Sequence, residues 1–432
     1  MKLCTIGLGY IGLPTAAVFA DNDVEVLGVD INKQVVDKLN NGEIHIEEPG
    51  LGSLIRKVVD EGKFRASTKV ETADVFIIAV PTPNNKDELK SCDLTYVLDA
   101  TNQVMEKAEK GNIIIVESTI APRTMEDYIL PIVESKGFIV GEDIYLVHCP
   151  ERVLPGKILH EVVFNNRIIG GVTENCASQG ARVYSTFVQG EIIKTNAKTA
   201  EMSKLMENTF RDVNIALANE LSIICNKLNI NVLEVIEMAN KHPRVNLHLP
   251  GPGVGGHCLA VDPHFIVAEA PEEAKIIKMA RDTNDFMPKH VVNLAKQILE
   301  SVEKPKISIL GITYKGDVDD YRESPAIEIA EQLIIEGVNV NIYDPHVKNK
   351  EINNILTLHS LEETLEKTNL ILILVDHSEF RNLDFTKYEK IMNNEYYVFD
   401  TKNINRLKSN PKIYNFGNIN ELINLKTEMI SN

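Results

Sequence analysis

Long apolar runs are scarce in this sequence of 432 residues, and beyond the N-terminal segment no stretch of about 18 apolar residues occurs. We therefore expect no membrane span. Cysteine is also scarce. The six cysteines are scattered and form neither a CxxC pair nor a Cys/His spacing typical of a metal site. This usage predicts reduced thiols in a cytoplasmic protein, with no disulfide framework and no metal centre.

Positive charge is in deficit, because 45 Lys and Arg face 62 Asp and Glu, which gives a formal charge of −17. This balance argues against binding to nucleic acid or to an anionic membrane surface. An anionic small ligand would need a local cluster of Lys and Arg. The length predicts two or three domains, at about 100–200 residues each.

The first half of the chain alternates short apolar segments with amphipathic ones such as Lys33–Asn40 and Leu94–Lys107. Continuous apolar strands that alternate with helices predict a parallel sheet covered on both faces. The candidate strands are Lys2–Ile6, Val24–Asp30, Asp74–Pro81, Asn112–Glu117, Ile144–His148 and Arg167–Gly170.

The second half repeats this order of segments, so we expect an α/β protein with two doubly wound, Rossmann-like domains. The matches are KISILGITY (306–314) to the first strand and turn, VNVNIYDP (338–345) to VEVLGVDI (24–31), TNLILILVDH (368–377) to TADVFIIAVP (72–81), and EYYVFDTKN (395–403) to NIIIVESTI (112–120).

A long helix, about Lys198 to Leu228, is expected to join the two domains, since it contains no Gly or Pro. Its apolar residues fit a dimer interface, and an ordinary core helix fits the same pattern equally well. They recur at helical spacing and are Met202, Leu205, Met206, Phe210, Val213, Leu217, Leu221 and Ile224.

A GxGxxG pattern follows the first candidate strand, and Asp30 ends the next one. Such glycines let the backbone approach a pyrophosphate at a helix N-terminus, while the acid accepts hydrogen bonds from an adenosine ribose. Asp30 would repel a 2′-phosphate, so we predict NAD rather than NADP. The pattern also explains the apolar N-terminus better than a signal peptide does. The predicted NAD-binding residues of this turn are Gly7, Gly9, Tyr10, Ile11 and Gly12.

Thr82 and Thr119 each follow a later strand of the first half. Loops at the carboxyl ends of parallel strands face the ligand crevice, so both hydroxyls are candidate NAD contacts. The alternative is that they satisfy local backbone groups.

The corresponding turn of the second half reads GITYKG (311–316) and lacks the GxGxxG pattern. Tyr314, Lys315 and Arg322 crowd this turn. They suit a phosphate-bearing ligand other than a second dinucleotide.

The segment GPGVGGHCLAVDP (251–263) places a cysteine in a glycine-rich loop. Glycines let the backbone approach a ligand closely, and a thiolate is a strong nucleophile toward a carbonyl. Cys258 is therefore a candidate nucleophile rather than an incidental thiol.

The long helix carries Lys204, Asn208 and Arg211 on one face. A Lys–Asn pair can stabilise an oxyanion and position water, although a solvated polar face has the same pattern.

Five segments together resemble the UDP-glucose/GDP-mannose dehydrogenase family, in the family's order and over essentially the whole chain. They are GLGYIGLP (7–14), HCPERVLPGK (148–157), AEMSKLMEN (200–208), GPGVGGHCLAVDP (251–263) and ITYKGDVDDYRESPA (312–326). The resemblance is greatest to members that act on UDP-N-acetyl-D-mannosamine. It implies a homodimer or higher homo-oligomer that oxidises a UDP-sugar.

The resemblance implies a four-electron oxidation of a sugar C6 alcohol to a carboxylate, with two NAD and one water. Cys258 matches the nucleophile and Lys204 the acid/base or oxyanion lysine. Asn208 and Asp262 match residues that orient water and lysine, and Glu151 matches the glutamate of a Pro-Glu stretch. The positions that match nucleotide-sugar contacts are Arg152, Val153, Lys204, Asn208, Arg211, His242, Arg244, Gly255, Tyr314, Lys315, Arg322 and Lys402.

In the family, the equivalent of Arg244 reaches a neighbouring subunit's site.

The implied domains are an NAD-binding Rossmann domain (1–195), a central helical domain with the long helix and the cysteine loop (196–300), and a C-terminal UDP-sugar-binding Rossmann-like domain (301–432).

Three positions depart from the pattern of UDP-glucose dehydrogenases. Pro155 stands where those enzymes have a second glutamate, His257 replaces a serine before the cysteine, and Val261 replaces a lysine before the aspartate. These differences weigh against UDP-glucose as the substrate and leave the hydrolytic base open.

Two other functions fit parts of the sequence. A single-step hydroxyacid dehydrogenase shares a Rossmann domain, a long helix and a Lys/Asn pair, but it needs neither Cys258 nor a second α/β domain. An NAD-bound regulatory protein would keep Asp30 and the glycines, and it would have no use for Cys258 or Lys204.

Overall fold

The computed structural model describes residues 1–154, 156–353, 355–405, 407 and 412–431, with side chains as far as Lys426. Two compact units are present, Met1–Glu207 with His264–Glu273, and Asn208–Pro263 with Ala274–Asn432. The central helices beyond Asn208 thus group with the C-terminal sheet, except for the segment His264–Glu273. Pro155 lies outside the described residues.

The first unit contains an eight-stranded sheet in the order β3-β2-β1-β4-β5-β6-β7-β8, as in a doubly wound fold. Its neighbouring strands are parallel except for β6 and β7, which pair antiparallel and depart from the all-parallel prediction. The strands are β1 (Lys2–Ile6), β2 (Glu25–Val29), β3 (Phe64–Ser67), β4 (Val75–Ile78), β5 (Ile113–Val116), β6 (Tyr145–His148), β7 (Arg167–Gly171) and β8 (Ile192–Asn196).

All six strands predicted for the first half are confirmed to within three residues at either end, whereas β3 and β8 were missed. Both missed strands lie at the edges of the sheet and are only partly buried, so they lack a continuous apolar run. The central strands β4 and β5 are fully buried, because helices cover both faces. The helices of this unit are α1 (Gly12–Asp21), α2 (Lys33–Asn40), α3 (Leu51–Asp60), α4 (Thr95–Met105), α5 (Leu130–Ser135), α6 (Ile158–Phe164) and α7 (Glu174–Tyr184), with a π-helical turn at Met125–Ile129.

The long helix α8 extends over Ala197–Leu228, which confirms the predicted helix to within one residue at its start. Its first turns belong to the first unit and the remainder to the second. The helices that follow are α9 (Val232–Ala239), α10 (Asp262–Glu269) and α11 (Lys275–Leu299). Among the described helices, none is long and apolar enough to cross a membrane.

The second unit contains a five-stranded parallel sheet in the order β10-β9-β13-β14-β15. Here β9 pairs with β10 and β13, as β1 pairs with β2 and β4, so the repeat predicted from sequence is a repeat of topology. The elements are β9 (Lys306–Leu310), α12 (Pro325–Ile335), β10 (Asn339–Tyr343), β11 (Glu351–Ile352), β12 (Leu356–Thr357), α13 (Leu361–Leu365), β13 (Leu370–Ile373), β14 (Tyr397–Asp400), β15 (Ile413–Tyr414) and α14 (Ile419–Ser431), with 3₁₀ turns at Ser378–Asn382 and Phe385–Tyr388.

The turn after the first strand is the same in both sheets. Gly7 and Gly311 have φ values of +91° and +88°, which favour glycine. Their N–H groups donate to the carbonyl oxygens of Val29 and Tyr343, each over 2.8 Å. The two halves of the chain therefore share their turn geometry as well as their strand order.

Candidate active site

The glycine turn of the first unit is closely packed at Gly7 and Gly12 and open at Gly9. A Cβ at Gly7 would lie 2.4 Å from the Ala79 carbonyl oxygen, and one at Gly12 would lie 1.9 Å from the Gly7 carbonyl oxygen. A Cβ at Gly9 would meet no heavy atom within 4 Å, so open space lies beside the backbone. Helix α1 begins at Gly12, and its N-terminal N–H groups suit a pyrophosphate.

Asp30 follows β2 beside this turn, as predicted. Its carboxylate accepts hydrogen bonds from the Leu8 N–H over 3.2 Å and from the Asn32 N–H over 2.9 Å. These bonds fix a negative charge next to the glycine turn while the residue stays half-buried. The residues of this turn therefore fit NAD, because a ribose 2′-hydroxyl can donate to this carboxylate and a 2′-phosphate would face its charge.

Thr82 and Thr119 lie half-buried in the loops that follow β4 and β5. The Ser118 hydroxyl joins these loops by donating to the Val80 carbonyl over 2.7 Å. Within the described part of the chain, neither threonine hydroxyl makes a side-chain hydrogen bond to the protein. The lack of such bonds favours NAD contacts for the two hydroxyls over hydrogen bonds to nearby backbone groups.

The second sheet has an acid at the position of Asp30, but its carboxylate is enclosed. Asp344 follows β10, and its Oδ2 accepts from the Ile312 N–H over 2.7 Å and lies 3.0 Å from His377 Nε2. Asp344 is buried and His377 is completely buried. A ribose has no access to this carboxylate, which explains why the second turn is unsuited to a dinucleotide.

Four side chains beside this turn, those of Asp317, His346, His377 and Glu379, have donor atoms within 4.8 Å of one another. His377 already uses both ring nitrogens, because its Nδ1 accepts from the Asp317 N–H over 2.9 Å and its Nε2 faces Asp344. We assign this cluster to anchoring the 314–320 loop rather than to a metal.

The cysteine loop of the second unit packs directly against the segment that carries Tyr314 and Arg322. The Gly256 N–H donates to the Glu323 carbonyl over 3.3 Å. A Cβ at Gly255 would lie 2.2 Å from that carbonyl oxygen, and one at Gly256 would lie 2.7 Å from the Tyr314 ring. Glycine is therefore required at both positions by close approach. Cys258 is exposed just beyond them.

His257 and Arg322 meet at one carboxylate. His257 Nε2 lies 3.4 Å from Asp320 Oδ2, and Arg322 donates to the same side chain over 2.7 and 2.9 Å. The histidine that replaces serine before the cysteine thus links the cysteine loop to a predicted phosphate-binding arginine.

The structure brings Asn208 and Asp262 together. Asn208 Nδ2 donates to Asp262 Oδ2 over 2.6 Å, and Asp262 is almost completely buried. Asp262 starts α10, and its N–H donates to the Cys258 carbonyl over 2.9 Å. The turn that holds Cys258 therefore also holds the amide–carboxylate pair at a fixed position.

Lys204 is buried one helical turn before Asn208 on α8. The positive charge of Lys204 acts on His148, which lies at the end of β6. Burial lowers the pKa of His148 to about 3, and the Lys204 charge lowers it further. His148 is therefore neutral at physiological pH. Neither ring nitrogen has a hydrogen-bond partner among the described residues.

Glu151 belongs to a buried cluster of charged and polar side chains in the first unit. Its Oε2 lies 2.8 Å from Arg167 Nη1, which is also 3.6 Å from Glu117 Oε1. The Tyr184 hydroxyl donates to that Glu117 oxygen over 2.6 Å. Burial raises the pKa of Glu117 to about 7, against the opposing charge of Arg167. One arginine thus serves two buried carboxyl groups.

Arg152 has partners within its own unit. Its guanidinium donates to Glu207 over 2.8 Å and to the Asn166 carbonyl, and Val153 packs half-buried against the core. The sequence pattern gave no signal for Glu48, which is buried and accepts from the Gly156 and Ile158 N–H groups, each over 2.8 Å. Glu48 holds the end of the PERVLPG segment from more than 100 residues away in sequence.

Most of the remaining predicted contacts lie at the surface. Arg211, His242, Arg244 and Lys315 are exposed. Lys402 lies close to the start of the cysteine loop, because a Cβ built on Gly251 would be 3.8 Å from its Nζ. Tyr314, Arg322, Lys402 and Cys258 thus belong to one region of the second unit.

Three family models match the chain. They describe the UDP-glucose/GDP-mannose dehydrogenase family: its NAD binding domain matches residues 1–188, its central domain residues 198–286, and its UDP binding domain residues 308–406. The chain belongs to the UDP-glucose/GDP-mannose dehydrogenase family. It is an NAD-dependent UDP-sugar dehydrogenase, and the recognition made from the five sequence segments is confirmed.

The chain is similar to a solved structure of a UDP-N-acetyl-mannosamine dehydrogenase from Staphylococcus aureus, with 58% identity and a TM-score of 0.90 over 98% of this chain and all of that one. It is 47% identical to a UDP-N-acetyl-D-mannosamine dehydrogenase of Methanococcus vannielii over 93% of both chains. It is also 46% identical to an NDP-N-acetyl-D-galactosaminuronic acid dehydrogenase of Ralstonia solanacearum, over 88% of this chain and 92% of that one.

Proposed function

We propose that this dehydrogenase oxidises UDP-N-acetyl-D-mannosamine at C6 to UDP-N-acetyl-D-mannosaminuronate, as a step toward a surface polysaccharide or glycan precursor. The reaction consumes two NAD and one water and releases two NADH, with the C6 alcohol ending as a carboxylate. The observation that carries the chemistry is an exposed cysteine on a glycine loop packed against Tyr314 and the Glu323 carbonyl. The choice of sugar is supported by similarity to the dehydrogenases named above.

Cys258 acts as the nucleophile after the first oxidation. Its thiolate adds to the C6 aldehyde and forms a thiohemiacetal, whose oxidation gives a thioester. Water then cleaves the thioester and releases the carboxylate and the thiol. NAD, when bound, supplies the hydride acceptor for both oxidations. Covalent capture keeps the reactive aldehyde from escaping between the two steps.

Lys204 and Asn208 stabilise the negative charge that develops on the substrate oxygen. In the first oxidation Lys204 takes the proton of the C6 alcohol as a neutral amine, and the ammonium that this forms supplies the positive charge. Asp262 holds the Asn208 amide through the 2.6 Å hydrogen bond and thereby fixes the orientation of that amide. Glu151, paired with Arg167, is assigned to activating the hydrolytic water, since Pro155 replaces the second glutamate.

The UDP moiety is assigned to Tyr314, Lys315, Arg322 and Lys402, which supply an aromatic ring and three cations in a chain of negative net charge. Gly255, Arg211 and His242 are assigned to the sugar side of this region. Arg152 and Val153 are assigned to the face of the N-acetyl group. Arg152 would exchange one of its internal hydrogen bonds for the amide oxygen of the substrate.

A second candidate is the corresponding galacto epimer, because one similar protein is named for N-acetyl-D-galactosaminuronic acid. UDP-glucose is the third. All share the same chemistry at C6, and they differ only at C2 and C4 of the sugar.

The substrate proposal is tested by the initial rate of NAD reduction with UDP-N-acetyl-D-mannosamine, its gluco and galacto epimers, and UDP-glucose. We expect kcat/KM to be highest for the manno epimer and at least about tenfold lower for UDP-glucose, because a site built for an amide leaves its donors unpaired without one. A higher value for UDP-glucose contradicts the proposal. A higher value for another N-acetylated epimer would move the assignment to that sugar.

We further propose that the active unit is a homodimer or a higher homo-oligomer assembled through α8. Of the eight apolar residues predicted on this helix, only Leu205 is fully buried, whereas Met202, Met206, Phe210, Leu217 and Ile224 are exposed. Phe210 is 66% exposed. A continuous exposed apolar stripe of this kind is typical of an interface.

If Arg244 acts in the site of a neighbouring subunit, two inactive variants should complement each other. Mixing Cys258→Ala chains with Arg244→Ala chains and allowing exchange should restore a measurable fraction of the activity, because one site of each mixed dimer would receive both groups. Sedimentation of differently tagged chains verifies that mixed dimers form. Absence of activity in verified mixed dimers contradicts the sharing of Arg244.

A further inference from the structure

A chain of buried polar side chains joins two points of the cysteine loop, Gly251 and Leu259, through α8 and α11 of the second unit. At the start of the loop, the Gly251 N–H donates to Asn219 Oδ1 over 2.9 Å. Asn219 Nδ2 donates to Asn284 Oδ1 over 2.8 Å, and Asn284 Nδ2 donates to Asp212 Oδ1 over 2.8 Å. The chain thus leads from the loop backbone to a carboxylate.

The other end of the chain returns to the loop beside Cys258. Arg281 Nη1 donates to Asp212 Oδ1 over 2.6 Å and to the Leu259 carbonyl over 3.4 Å. Its second terminal nitrogen donates to Asp285 on the same helix. We call the four side chains Asp212, Asn219, Arg281 and Asn284 the loop relay. All four are at most 2% exposed.

The orientation of each amide in the loop relay is determined by its neighbours. The Gly251 N–H can only donate, so Asn219 must present its oxygen to the loop and its NH₂ to Asn284. Asn284 must then present its NH₂ to Asp212, whose Oδ1 also receives Arg281. Because no amide can flip without losing two hydrogen bonds, the chain has a single arrangement and fixes the loop backbone at Gly251 and at Leu259.

Stability alone gives little reason to bury an ion pair here, because well-packed apolar side chains commonly replace such a pair without loss of stability. The Asp212 Oδ2 and Arg281 Nε atoms also lack hydrogen-bond partners among the described residues. The placement of the charges next to the backbone of the cysteine loop points instead to positioning.

We propose that the loop relay is a positioning device that holds Cys258 for capture of the C6 aldehyde and hydrolysis of the thioester. This inference rests on the proposed role of Cys258 as the nucleophile. Asn219 and Arg281 touch the loop backbone, whereas Asp212 and Asn284 act through these two side chains. Loosening the relay lets the aldehyde of the first oxidation escape before the thiolate adds to it. Binding of NAD does not depend on the relay, because the glycine turn and Asp30 belong to the other compact unit.

Two variants test the loop relay. Arg281→Lys keeps the charge opposite Asp212, but a single ammonium lacks the guanidinium geometry that serves two acceptors. Asn219→Ala removes the bond to Gly251 without a change in charge, and it keeps the test open if Arg281→Lys fails to fold. Ser308→Ala is the matched control, since it removes a buried hydrogen bond from β9 of the same unit to the Thr364 carbonyl in α13.

The measurements are kcat and KM for acid formation, together with the amount of UDP-sugar aldehyde trapped by a hydrazine during turnover. Both relay variants should lower kcat for the acid by about 10- to 100-fold, as expected for a misplaced reacting group, with KM for NAD within about twofold of wild type. Trapped aldehyde should rise in the relay variants and not in Ser308→Ala at equal loss of thermal stability.

Unchanged aldehyde release in both relay variants, or the same release in Ser308→Ala, overturns the positioning role. A loss confined to KM overturns it as well. Failure of the proposed function gives a different pattern, because Cys258→Ala would then continue to form the acid at the wild-type rate whatever the relay variants do.

Discussion

Replacing Cys258 by alanine should abolish formation of the acid. Without the thiolate the aldehyde has no covalent route to a thioester, so we expect kcat for the acid to fall by at least about 1,000-fold, in the range of losses seen when a catalytic nucleophile is removed. NAD binding should be retained, since the glycine turn and Asp30 belong to the other compact unit. The measurement is acid product by mass spectrometry, with NAD affinity by fluorescence titration.

Two further variants distinguish loss of the nucleophile from general damage to the fold. Cys92→Ala is the matched control, because Cys92 is also partly accessible and has no assigned role in the reaction, and it should keep wild-type turnover. Cys258→Ser should accumulate a slowly hydrolysed ester, since an alkoxide is a poorer leaving group than a thiolate. Full two-step turnover by Cys258→Ala would refute the thioester mechanism.

The second large effect is the choice of cofactor. We expect kcat/KM for NAD to exceed that for NADP by at least about 100-fold, because a 2′-phosphate would be placed against the Asp30 carboxylate and like charges in contact cost several kcal/mol. The carboxylate cannot easily turn away. Both of its oxygens are held, by the Leu8 N–H and the Asn32 N–H.

Asp30→Ala should reduce this preference, because it weakens the binding of NAD and removes the repulsion of the NADP 2′-phosphate. Asp37→Ala is the matched control, since Asp37 is an exposed carboxylate on the following helix and should leave the preference unchanged. The measurement is steady-state kinetics with both cofactors. Equal kcat/KM values for the two cofactors in the wild-type protein would contradict the role of Asp30.

The topology could be predicted because its signals are local. Central strands such as β4 and β5 are buried on both faces and appear as continuous apolar runs, and each glycine turn follows directly. The edge strands β3 and β8 lack that signal, because one side faces solvent or a partly covered surface. The antiparallel pairing of β6 and β7 has no local signature at all.

The candidate site was predictable where a motif places the residues close together in sequence. The 251–263 loop indicated Cys258 and Asp262 directly, and helical spacing placed Lys204 and Asn208 on one face. The supporting residues were hidden. Arg281 and Asn284 look like the polar face of α11, and only the fold brings them to Asp212, about 70 residues earlier.

Buried carboxyl groups escaped prediction for the same reason. Glu117 and Glu151 lie 34 positions apart, and nothing in the sequence indicates that Arg167 and Tyr184 share their cluster. A charged residue next to an apolar strand is normally expected at the surface. Its burial becomes evident only when the neighbouring strands are paired.

In the proposed reaction, one protein performs two oxidations and one hydrolysis on the same sugar carbon. The most direct measurement is the ratio of NADH formed to UDP-sugar acid produced, with the reaction run in water enriched in oxygen-18. We expect two NADH per acid and one labelled oxygen in the new carboxylate. One NADH per sugar, with the aldehyde as the product and no acid, would contradict it.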